Sequence, residues 1–118
     1  VNGLPALEWH PRLEELARSH SMDMAEKNYF DHVNADGFKM GERFLNSGID
    51  YMCCGENIDK GVFNPFDALD GWFCSSLHRN NLLSDKFTHV GVAFAYNSNP
   101  NANQCYYGTQ DFCSFFPE

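Results

Sequence analysis

Residues 90 to 96 read Val-Gly-Val-Ala-Phe-Ala-Tyr, and a period of two places Val90, Val92, Phe94 and Tyr96 on one face of a strand and Gly91, Ala93 and Ala95 on the other. The bulky face needs apolar cover, and the nearly bare face lets a second layer approach the backbone closely. The strand is therefore expected inside a sheet covered on both sides. "SNPNAN" (98–103) supplies turn residues, and "QCYYGTQDFCSFF" (104–116) reads as the returning strand of a hairpin.

Helical patterning precedes this hairpin. "HPRLEELARSHSMDMAEKN" starts with Pro11 at a first helical position and repeats Leu13, Leu16, Ala17, His20, Met24 and Ala25 at helical spacing. "NYFDHVNADG" breaks that period and leaves His32 in a loop, after which "FKMGERFLNSG" reads as a short second helix stopped by Gly48. Residues 51–63 read as irregular or briefly extended, with a bend at Gly55-Glu56-Asn57. "NPFDALDGWFCSSL" predicts a third helix capped by Asn64, with Pro65 just inside it. Helices mostly before strands, with no internal repeat or linker, give one α+β domain over residues 1–118.

Composition narrows the partners. Eight Lys and Arg against sixteen Asp and Glu give a formal charge of −8, which repels phosphate backbones and anionic membrane surfaces, so nucleic acid is excluded as a favoured partner. No run of eighteen apolar residues is present, so no transmembrane segment is expected. The first thirty residues lack the basic-then-apolar pattern of a signal peptide; if the protein is secreted, the expectation is a chain whose signal has been removed. Five cysteines, at 53, 54, 74, 105 and 113, lack metal-finger spacing and point to disulfides in an oxidising compartment. Cys105 and Cys113 lie in one expected strand, about 27 Å apart at strand rise, so their partners should come from Cys53, Cys54 or Cys74.

Taken in order, "GLPALEWHPRLEELARSHSMDMAEKNYFDH", "GERF", "GENI", "W-x-x-S-x-x-HRNNLL", "VGVAF" and "YYGTQDFCSFFP" resemble the CAP superfamily of cysteine-rich secretory proteins, insect venom antigens and plant pathogenesis-related proteins, in a short bacterial-like form. The resemblance covers nearly the whole chain. It implies a secreted α-β-α sandwich with an antiparallel sheet flanked by helices. The family usually carries an additional opening helix with an N-x-x-R pattern, for which there is no room before "GLPAL"; the expectation is a truncated or processed product that could dimerise through the surface so exposed.

The same resemblance implies a central cleft. His32, Glu56 and His78 match three members of the family's pair of histidines and pair of glutamates, Ser75 stands where longer members carry the second glutamate, and Asn57 and Ser75 are expected to line the cleft. Two imidazoles and a carboxylate, with water in the fourth position, form a set that zinc or another divalent metal would accept. Hydrolysis also requires a base or a second carboxylate, which Ser75 does not supply, and Asp31, beside His32, is expected to point elsewhere. The family further implies a disulfide from Cys54 to Cys113, worth about 3 to 4 kcal/mol for a loop of about sixty residues, and lipid or sterol binding in a groove near Phe63 and Phe66. Cys74 with His78 resembles a thiol and its base, but a disulfide fate for Cys74 is the stronger reading. The leading functional expectation is a secreted, non-catalytic domain binding a small apolar ligand or an extracellular protein. A metal-dependent hydrolase on the same cleft and a purely structural interaction module are the alternatives.

Overall fold

In the computed structural model, which describes residues 7–61, 86–97 and 106–115, the chain forms β1 (Glu8–Trp9), α1 (Pro11–Lys27), α2 (Met40–Asn46), β2 (Tyr51–Gly61), β3 (His89–Tyr96) and β4 (Tyr106–Phe115). The strands make one sheet in the order β1-β3-β4-β2. β4 is central and antiparallel to both β2 and β3, while β1 runs parallel to β3, so the sheet is mixed rather than wholly antiparallel. The third helix, the turn at 98–103, Cys74, Ser75, His78 and Cys105 lie outside the described residues, as does most of the groove near Phe63 and Phe66.

α1 begins as its sequence suggests. His10, in an extended conformation, accepts from the Arg12 amide through Nδ1, and Pro11 occupies the first turn. The helix ends at Asn28, which takes a left-handed conformation (φ 57°) and returns its N–H to the Met24 carbonyl. Its inward stripe, from Leu13 through Leu16, Ala17, His20 and Ser21 to Met24 and Ala25, is buried. This stripe meets the bare face of β3. In antiparallel pairs, residues opposite one another share a face, so the register aligns Gly91, Asp111 and Glu56 in one row and Ala93, Thr109 and Ile58 in the next. Ser21 Oγ, buried in that contact, reaches the Ala93 carbonyl (3.0 Å) and Thr109 Oγ1 (2.8 Å).

Two apolar groups fill the space beneath α1. Leu13, Leu16, Phe44, Ile49 and Cys113 form one, and Met24, Ala25, Ile58 and Tyr107 the other. Between them lies the polar row containing Asp111 and Glu56. β2 runs as one continuous strand over Tyr51–Gly61, with a register irregularity between Tyr51 and Cys53, where the sequence leads one to expect irregular or only briefly extended chain. Pairing to β4 overrides the low strand preference of Gly55, Glu56 and Asn57, because each finds a cross-strand partner. Cys54 and Cys113 are register partners, as the expected disulfide requires, but both are free thiols. Burial raises the titration of each, with that of Cys113 pushed up to about 12.

Gly91 is the point of closest approach. A Cβ there would collide with the backbone of Leu13 and Glu14 in the first turns of α1. Backbone cannot step aside as a side-chain tip can, so Gly91→Ala is expected to destabilise the fold by about 3 kcal/mol, at the upper end for overpacking. Chemical denaturation of the two proteins checks this, and an unchanged midpoint would mean that α1 does not rest on Gly91.

Candidate functional site

The loop between α1 and α2 carries His32 and is fixed at two successive carbonyls. His20 Nε2–H, from the inward face of α1, donates to the Asp31 carbonyl at 2.7 Å, and Arg43 Nη2, from α2, donates to the His32 carbonyl at 2.9 Å. Because a carbonyl only accepts, His20 carries its proton on Nε2. Burial holds the His20 ring below the usual histidine range, favouring the neutral form.

Arg43 also makes the principal ion pair. Its Nη2 donates to Glu56 Oε1 (2.6 Å) and Oε2 (2.8 Å), with the Glu56 side chain wholly buried. His32 Nδ1–H donates to Glu56 Oε1 at 2.8 Å, and the rest of the His32 ring remains about half exposed. Glu56 is thus brought to His32, as expected, from a separate segment. Burial alone would raise the Glu56 pKa; hydrogen bonds from Asp111 and His32, together with Arg43, outweigh it and hold the carboxyl at about 2.

The sequence reading did not assign Asp111. It sits directly across from Glu56 on β4, is fully buried, and neither carboxyl oxygen meets a well-aligned donor among the described residues. Burial first, then the adjacent Glu56 charge, pushes its pKa well above the carboxylate range. The pair therefore holds one proton, on Asp111, and one negative charge, on Glu56, which Arg43 balances. The signal was present in the sequence only as a lone acid in "TQDF"; the β2–β4 register was needed to place it beside Glu56.

The remaining predicted residues separate. Asn57 follows Glu56 along β2 and so turns to the opposite sheet face, where it is buried and donates through Nδ2 to Gln110 at 3.0 Å. It does not line the surface occupied by Glu56 and His32. The Asp31 carboxylate accepts from the Val33 amide within its own loop, in keeping with the expectation that it points away. His78 and Ser75 lie outside the described residues. Among the described residues no group of three or more His, Cys, Asp or Glu side chains is placed to hold a metal ion. As arranged, both Glu56 oxygens are engaged by Arg43, whereas His32 Nε2 makes no hydrogen bond to any described residue. A cation would thus meet His32 at Nε2, with Glu56 as the acceptor that orients the ring from behind, a common outer-shell role for a carboxylate.

A mixed sheet with a helix laid on its bare face, and a His–Glu pair clamped by an arginine from the following short helix, define an α+β domain of the SCP type. Residues 2–112 match the family model described as the cysteine-rich secretory protein family, CAP, and the chain belongs to that family. It is 39% identical over 92 residues to YkwD, an uncharacterized protein of Bacillus subtilis, and 38% identical over 91 residues to YlbC, an uncharacterized membrane protein of the same organism. These matches take in 78% and 77% of this chain but only 36% and 26% of the relatives' lengths. An extracellular SCP-domain protein of Bacillus anthracis superposes with a TM-score of 0.79 at 34% identity, over 94% of this chain and 34% of that one. An outer surface protein of Borrelia burgdorferi shares the fold at a TM-score of 0.82 and 16% identity, over 96% of this chain and 80% of that one.

The two carboxyls make opposite contributions to the pH dependence of stability. Glu56, depressed on folding, stabilises above the ordinary carboxylate pKa, and that contribution is lost as pH falls through about 2. Asp111, raised on folding, favours the folded state most below the ordinary carboxylate pKa, and stability is lost as pH rises above that value. Asp111→Asn, isosteric and unable to ionise, should therefore gain stability relative to the parent between pH 4 and pH 7. Urea midpoints at both pH values check this; a difference between the proteins that stays constant with pH would show that Asp111 titrates alike in both states.

Proposed function

We propose that the chain is the recognition domain of a secreted protein, binding a small ligand or an extracellular partner at the His32–Glu56 surface without chemical turnover. His32 is the described side chain that would hold a divalent cation such as zinc there, and the family resemblance adds His78, which lies outside the described residues, as a second ligand. The observation that carries the reading is the Arg43–Glu56–His32 arrangement. Arg43 and the fold constrain the carboxylate, the carboxylate orients the imidazole, and the imidazole's outer edge is left for a partner. The extracellular and outer-surface descriptions of the B. anthracis and B. burgdorferi proteins support secretion. The binding of lipid or sterol rests on the family resemblance.

The arrangement supports hydrolysis less well. A carboxylate with a pKa of about 2, ion-paired and buried, is a poor proton acceptor at neutral pH. Asp111, the second carboxyl, holds its proton in a site closed to solvent. A metal would supply Lewis-acid chemistry when bound, but the described residues place no competent carboxylate base beside it.

Zinc titration by calorimetry tests the cation component. The parent is expected to take up about one equivalent, with affinity falling about tenfold or more in His32→Ala and His78→Ala, the loss typical of metal-site disruption. Absence of stoichiometric uptake would reject the cation component. Chelator-sensitive turnover of peptide or ester substrates would reject the non-catalytic reading.

A further inference from the structure

Where β1 turns into α1, three rings from three elements meet. The ring centroid of His10 lies 5.6 Å from that of His89 on β3 and 5.2 Å from that of Phe115 on β4, and those of His89 and Phe115 are 4.9 Å apart. His10 ties its two neighbouring elements down at once. Its backbone N–H donates to the Val90 carbonyl (2.9 Å), continuing the short β1–β3 ladder that the Glu8 N–H begins at the Thr88 carbonyl. Its ring Nδ1 accepts from the Arg12 amide as the N-cap of α1.

The two imidazoles respond oppositely to a proton. His89 meets an oxygen at each nitrogen, the Glu8 carboxylate at Nε2 (3.1 Å) and the Thr88 hydroxyl at Nδ1 (2.7 Å), so its cationic form keeps both contacts, with Thr88 Oγ1 as acceptor. His10 Nδ1 instead faces a backbone N–H, which only donates; a proton on Nδ1 sets two donors against each other and removes the cap. The added charge would also lie near His89 and the Arg12 guanidinium, which is anchored on the Ser47 carbonyl. The Glu8 carboxylate is engaged by His89 and largely solvated, so it offers His10 little relief. β4 brings only the uncharged Phe115 ring to the cluster. Burial first, then His89 and Arg12, accordingly hold His10 below the ordinary histidine range.

We propose that this junction is an acid-operated clasp, in which protonation of His10 uncaps α1 and loosens β1 and Pro11–Arg12 from β3. Because the folded pKa is lowered, His10 contributes fully to the closed form above the ordinary histidine value of about 6.5, and the contribution is lost as pH falls from there through the lowered value. Opening stops at Leu13, whose side chain is wholly buried and whose backbone rests on Gly91. The part that opens is a two-residue edge strand and the first residues of a helix, which places it at the low-stability end of the fold. Trp9, 53% exposed at the sheet edge in the closed form, moves with it. The clasp does not involve the His32–Glu56 surface and stands or falls independently of what binds there.

Amide hydrogen exchange of the folded chain tests the proposal, followed by nitrogen-15 NMR from pH 7.5 down to pH 5 and expressed as protection relative to the unfolded peptide. Protection of the His10 and Arg12 amides should fall by about fivefold, the equivalent of one lost cap, while that of the Met24 and Ala25 amides stays constant. The fall should begin near the ordinary histidine value and level off below the titration midpoint of the His10 ring nitrogens, read in the same samples. His10→Asn supplies a cap that does not titrate in this range and should keep its protection throughout. Three outcomes would overturn the proposal: protection of His10 and Arg12 that does not change with pH; a fall that does not follow the His10 ring titration; or an equal acid loss in folded His10→Asn.

Discussion

Everything near the candidate site depends on a buried charge being answered where it lies. Glu56 sits in the interior with its side chain closed to solvent, a position that costs several kcal/mol for an isolated carboxylate. Arg43 meets it with one nitrogen on both oxygens, and that same nitrogen holds the backbone of the His32 loop. The ion pair is thus also the connection between α2, the loop and β2. Removing either partner would leave the other charge buried and uncompensated, so the arrangement is a strong local constraint even though its net stabilisation is modest.

The sheet makes room for this pair. Gly91, Asp111 and Glu56 form one row across β3, β4 and β2, and the absence of a side chain at Gly91 lets α1 settle onto the sheet. Asp111 adds a second carboxyl to the row and remains neutral because burial and the adjacent Glu56 charge both disfavour a further negative charge there. The polar row is bounded by apolar groups that exclude water, which strengthens both the attraction to Arg43 and the penalty on Asp111.

Much of this architecture is legible in the sequence. The inward stripe of α1, the stop of α2 before Gly48 and the bare face of residues 91–95 follow from periodicity and backbone chemistry. The meeting of His32 with Glu56 was legible only through the resemblance to the CAP family, since nothing local in "FDHV" or "GENI" points one toward the other. β2 escaped because Gly55, Glu56 and Asn57 are poor strand formers, and their pairing with β4 is a tertiary effect. Asn57, expected to line the cleft, is sent to the other face by alternation along the strand. Arg43 and Asp111 went unassigned for the same reason: each gains its role from a partner distant in sequence, one across α2 and β2, the other across the β2–β4 register.

The central claim is that Arg43 and Glu56 act as one unit inside the fold, and a double-mutant cycle on unfolding free energy tests it most directly. With Arg43→Met, Glu56→Leu and the combined variant, the account predicts a coupling of about 3 kcal/mol, the double variant recovering most of what either single change loses. Losses that simply add, with coupling near zero, would show that the two side chains are stabilised separately and would contradict the account.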